Sequence, residues 1–192
     1  MLNFLDELAL EHQGRIKTTE SKWNSYGTYF PVLVKDIDVK LGDWNLNLNY
    51  EYRQNYMTKA SAKQILLFGD EGFDRCDKHN ILLRCKIDAS KFNTIFTIQR
   101  KHLFYRLFYK KSNEKYIVQC KEKRFKDYLT SCKMIDVAYS EKGFNPLVQT
   151  WVEQGYYYIS MGYEGKFGIA KKEALFTFEL GKEIIKHIEN FC

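Results

Sequence analysis

The sequence predicts an α+β fold: a mostly antiparallel sheet with hairpins, packed by N-terminal and C-terminal helices and one or two short helices. Three observations carry that expectation. Aromatic residues make up 16% of the chain, with 14 Phe, 14 Tyr and 3 Trp against only 2 Pro, and aromatic rings fit the pleated, half-buried surface of strands. Apolar positions alternate on both sides of Gly42-Asp43, which marks a hairpin. Apolar residues also recur at helical spacing at both ends of the chain. Hairpin signals spaced this closely argue against a doubly wound parallel sheet.

The first helix is expected up to Gly14, with Asn3 as its cap and Asp6 and Glu7 near its positive end. Gly14 is placed to close it. Phe4, Leu5, Leu8 and His12 form the stripe that docks on the core. A strand is expected over Tyr29–Val34. The hairpin follows, with Ile37, Val39 and Leu41 alternating on one arm and Trp44, Leu46, Leu48, Tyr50 and Tyr52 on the other. Further strands are expected near Ala62–Phe68, Ile81–Ile87 and Thr94–Gln99. Phe144–Gly155 reads as a short helix, because Asn145 suits an N-cap, Pro146 the first turn and Gly155 the C-terminal position. Tyr156–Met161 reads as a buried strand. A final helix carries Ala174, Phe178, Gly181, Ile185, Ile188 and Cys192 along one seam, with its start left open between helix and strand.

A chain of 192 residues with 45% hydrophobic content can bury a core without disulfides, and residues 1–192 are expected to form a single globular domain. No repeat or composition shift suggests a boundary. Asp6, Glu7 and Glu11 interrupt any signal-peptide core, and the longest aliphatic run, Ile65-Leu66-Leu67-Phe68, is far too short to span a membrane. The five cysteines at 76, 85, 120, 132 and 192 form no C-x-x-C framework, so reduced thiols in a cytoplasmic setting are expected.

Charge is concentrated in one block. Residues 1–99 are neutral overall, residues 100–126 carry a net +8 and residues 127–192 a net −2, within a total of +6. In that block Arg100, Lys101, Arg106, Lys110, Lys111, Lys123 and Arg124 interleave with Phe104, Tyr105 and Tyr109. Residues 101–111, read as a helix, would have an apolar face edged by cations. Cations with flat rings suit phosphates and unpaired bases, and equally an anionic membrane surface or an acidic protein. The expected function is therefore a non-catalytic binding or regulatory protein contacting a polyanion, nucleic acid among them, through 100–126. The alternatives are an enzyme acting on a phosphate-containing substrate and a structural subunit of a homo-oligomer.

No motif fixes a reaction or calls for a cofactor. Asp74, Cys76, Asp77 and His79 carry donors a divalent metal would use, but no second half-site accompanies them. Asp36, Asp38 and Lys40 share one strand face, an arrangement that with a further acid such as Glu20 would suit metal-assisted phosphoryl chemistry. A wet hairpin face explains the same alternation. The glycines at 162, 165 and 168 match neither phosphate-loop spacing, and a Glu164-Gly165 turn is the simpler expectation.

Overall fold

The computed structural model describes residues 3–25, 28–56, 76–101, 115–140, 146–165 and 170–191. In chain order the elements are α1 (Asn3–Glu11), β1 (Arg15–Ser25), β2 (Thr28–Leu41), β3 (Trp44–Tyr56), β4 (Cys76–Asp88), β5 (Phe96–Arg100), β6 (Tyr116–Cys120), α2 (Lys123–Thr130), α3 (Lys133–Ser140), β7 (Leu147–Glu153), β8 (Tyr156–Gly165) and α4 (Ala170–Phe191). The strands form one eight-stranded sheet in the order β1-β2-β3-β4-β8-β7-β5-β6. All neighbouring strands are antiparallel. This is the α+β architecture that the alternation and the terminal helices predict.

The Gly42-Asp43 hairpin forms as expected, with Leu41 opposite Trp44 and Gly42 at a φ of 56°. The expected strand at Tyr29–Val34 and the first hairpin arm are one continuous β2. Ile81–Ile87 lies within β4, and β5 covers most of Thr94–Gln99. The segment Ala62–Phe68 and most of the expected helix over 101–111 lie outside the described residues. At the N-terminal helix, the left-handed position falls on Gln13, at φ 51°, and not on Gly14. Gly14 is needed for another reason: a Cβ there would sit 2.7 Å from the Asp38 carbonyl oxygen.

Two expectations are corrected. Residues Leu147–Glu153 are β7, not a helix. Gln154 and Gly155 have φ of 50° and 78° and turn the chain directly into β8, the backbone that a tight hairpin requires. Val148 and Thr150 then point into the core, while Leu147 on the other face and Val152 at the strand's end are exposed. Glu164 and Gly165 do not turn either: they extend β8 and pair with Asn80 and His79 of β4.

One face of the sheet supports the core. Ile37, Trp44, Leu46, Leu48, Tyr50, Leu83 and Ile159 are among its buried residues, each contributing about 1.5–3 kcal/mol if fully buried. α4 crosses β4 and β8 on that face, bringing Gly181 so near that a Cβ would lie 2.4 Å from Leu83 Cδ2. Ala174, Phe178, Ile185 and Ile188 form the expected seam, now shown to be helical from Ala170. α1 packs on β2 with Phe4, Leu5 and Leu8 buried, and the His12 ring lies 5.0 Å from that of Phe178. No described helix is long and apolar enough to cross a membrane.

Candidate polyanion-binding face of the sheet

Strand alternation sends every second residue away from α1 and α4, and the register places these outward residues in rows across the sheet. One row runs Lys40, Asn45, Lys86, Tyr158, Trp151 over β2, β3, β4, β8 and β7. The row beside it begins Arg15, Asp38, Asn47, Arg84, Ser160. Except for Trp151 and Ser160, these residues line a broad open hollow whose charged members are Arg15, Lys40, Arg84, Lys86 and Asp38.

The electrostatics of the hollow are one-sided. Arg15, Lys40, Arg84 and Lys86 are exposed and none forms an ion pair among the described residues. The one carboxylate, Asp38, accepts a hydrogen bond from Asn47 Nδ2 at 2.8 Å. Its neighbour Asp36 likewise accepts from Asn49 Nδ2 at 2.7 Å. At the far end of the first row the rings of Tyr158 and Trp151 stack with centroids 5.2 Å apart and planes 10° apart. Lys86 Nζ also lies 5.2 Å from the ring centre of Tyr156, which is exposed. Arginine, lysine and amide donors beside open rings can hold phosphate oxygens and planar groups at once.

The basic block of residues 100–126 is only partly described. Phe104, Tyr105, Arg106, Tyr109, Lys110 and Lys111 lie outside the described residues. Arg100 and Lys101 end β5, where the Lys101 amide donates to the Lys115 carbonyl at 3.0 Å. Lys123 and Arg124 start α2, and the Arg124 guanidinium lies over the Phe191 ring at 5.6 Å. Phe125 is fully buried among Phe92, Phe96 and Phe191, so this aromatic serves the core. Lys101 and Lys126 flank a smaller groove along the β6 edge.

Of the four candidate metal donors, Asp74 lies outside the described residues, and Cys76 and Asp77 fall at the start of β4. His79 is buried, with Nδ1 2.5 Å from the Tyr50 hydroxyl and its ring 5.1 Å from that of Tyr52. No cluster of three His, Cys, Asp or Glu fit to hold a metal occurs among the described residues. Asp36, Asp38 and Lys40 do share a face. Glu20 pairs with Leu33, whereas Lys17 is the β1 residue opposite Asp36, so the further acid does not join them. Gly162 sits inside β8 between Leu82 and Leu147 instead of in a phosphate-binding turn, and Gly168 lies outside the described residues. Burial pushes the Cys85 and Cys132 thiols up, which keeps them protonated and unreactive.

The sequence marks the hairpin and groups Lys40 with Asp36 and Asp38, but it does not single out Arg15, Arg84 and Lys86. They come from a stretch whose charges cancel in sequence, and only the register separates them from the acids. The signal available was the run of alternating Asn45, Asn47 and Asn49 opposite Asp36, Asp38 and Lys40.

The described residues form an antiparallel α+β protein whose sheet carries a cationic hollow on the face opposite α1 and α4. Comparison with protein-family models, curated proteins and solved structures returned no match.

Proposed function

We propose that this chain is a non-catalytic binding protein whose partner is a polyanion lying on the face of the sheet opposite α1 and α4. The observation that carries this reading is the convergence of Arg15, Lys40, Arg84 and Lys86, from the three strands β1, β2 and β4, on one hollow where none of them forms an ion pair among the described residues. Cations so arranged are ready to exchange their counterions for phosphates. The amides of Asn45 and Asn47 add donors between them.

The test is binding of inorganic polyphosphate across a salt series. Affinity should fall linearly in log salt, and the pair Arg84→Glu, Lys86→Glu should weaken binding about tenfold or more and flatten the slope. Absence of binding at low salt, or indifference to that charge reversal, would sink the proposal.

A second reading keeps the partner and moves the surface. Lys101 and Lys126 flank the groove at the β6 edge with Tyr116, Ile117, Val118, Thr130 and one acid, Asp127. Both lysines belong to the basic block. Lys101→Glu with Lys126→Glu is the matching variant, and the surface whose reversal costs more affinity is the one in use.

A further inference from the structure

The row that carries Lys40 and Lys86 does not end in polar residues. It ends in a stacked pair of rings, Tyr158 and Trp151, with Tyr156 exposed beside them. A site meant only for phosphate or sulfate has no use for such a platform, and a duplex hides the faces of its bases. The faces of unpaired bases are flat, apolar and available, and aromatic side chains bind them with little regard to sequence. We infer that the polyanion is a single-stranded nucleic acid, with its phosphates along Arg15, Lys40, Arg84 and Lys86 and its bases on the Tyr158–Trp151 platform. This rests on the polyanion reading above and names the partner class.

The dimensions agree. Five strands at about 4.8 Å spacing place Lys40 and Trp151 roughly 19 Å apart, room for a few nucleotides within the site sizes of about 4 to 16 seen for single-strand binding modules. Charge sets a direction as well. Asp88 and Glu153 flank Tyr156 in the next row, which repels phosphate from that end. Asp88 is occupied by the Ser90 amide and hydroxyl, and Glu153 accepts from Trp151 Nε1 at 3.3 Å. Phosphates are thereby confined to the Arg15 side while the rings remain open to bases.

The measurement is fluorescence titration of the full chain with a thymidine oligonucleotide of about 20 residues, alongside inorganic polyphosphate and a duplex of the same length. Trp44 is fully buried and Trp23 packs on Phe30 at the far end of β1 with centroids 5.7 Å apart, so Trp151→Phe is the variant that assigns a quench to the indole beside Tyr158. The inference expects the oligonucleotide to quench tryptophan emission, to bind more tightly than the duplex, and to lose about tenfold in affinity with Tyr158→Ala. Trp151→Phe should keep a ring for stacking, bind within about threefold of the parent and abolish the quench. A folded-state check by circular dichroism accompanies each variant. Oligonucleotide binding no tighter than polyphosphate, without quench and indifferent to Tyr158→Ala, overturns the inference and leaves the polyanion reading standing. Preference for the duplex overturns it in the same way. If neither polyphosphate nor oligonucleotide binds, both fall together.

Discussion

Thr150 shows how a single side chain closes a gap in this sheet. β5 and β7 pair over only two residues each, Thr97 with Gln149 and Ile98 with Val148. Where that ladder stops, the Thr150 hydroxyl accepts from the Phe96 amide at 2.7 Å and donates to the Phe96 carbonyl at 2.9 Å. Thr150→Val keeps the shape and strips both bonds, leaving two buried backbone groups unpaired. A loss of about 1–3 kcal/mol is expected in denaturant unfolding, and an unchanged midpoint would contradict this role. A second residue sets a pH dependence. Burial raises the Glu173 carboxyl above its ordinary 4.5, partly offset by the bond it accepts from Tyr163 at 3.1 Å. A carboxyl raised in the folded state contributes stability that is fully present below its unfolded value and lost as pH rises through the native one. Glu173→Gln should therefore gain stability relative to the parent as pH climbs from about 4 toward 7. A difference that stays flat over that range would refute the shift.

Elements read correctly were those with a face to bury. The β2–β3 hairpin and the α4 seam both show up as periodicity, because one side of each meets the core. β1 was not legible: Arg15–Asn24 has almost no buried side chain, since it is an edge strand paired only with β2, and an edge without a core contact needs no alternation. The β7 segment misled for the opposite reason. Asn145, Pro146 and Gly155 satisfy helix-end grammar, but pairing with β8 and β5 outweighs these local preferences, and Gly155 serves a hairpin turn instead. The turn makes its own prediction. Gln154 holds a positive φ that Asn adopts more readily. Gln154→Asn should raise stability by about 0.5 kcal/mol, and a drop in melting temperature would count against the turn as described. α4 is constrained by close approach. Gly181→Ala gains about 1 kcal/mol of helix propensity, yet its Cβ runs into Leu83 Cδ2 and lies 3.1 Å from Met161 Cε, both side chains fully buried. Overpacking costs about 1–3 kcal/mol and grows with size, so Gly181→Val should be the less stable variant. Equal or higher stability for Val would mean α4 sits farther from the sheet.

At the scale of the whole molecule, a charge count along the chain and a charge map of the surface say different things. The count points to residues 100–126. The map points first to the hollow on the face opposite α1 and α4, whose cations are Arg15, Lys40, Arg84 and Lys86 from a neutral stretch. Long-range register gathers them, and no local window of sequence contains register. The aromatic content divides in the same way: Phe125, Tyr139 and Tyr157 are core, with burial raising both tyrosine hydroxyls, while Trp151 and Tyr158 border the hollow. The account therefore stands on where a polyanion touches the protein. The direct measurement is lysine acetylation footprinting with and without bound polyphosphate. Lys40 and Lys86 should be protected while Lys133, on α3, remains reactive. Protection of Lys101 and Lys126 with Lys40 and Lys86 unchanged would contradict the sheet-face site and return the function to the basic block.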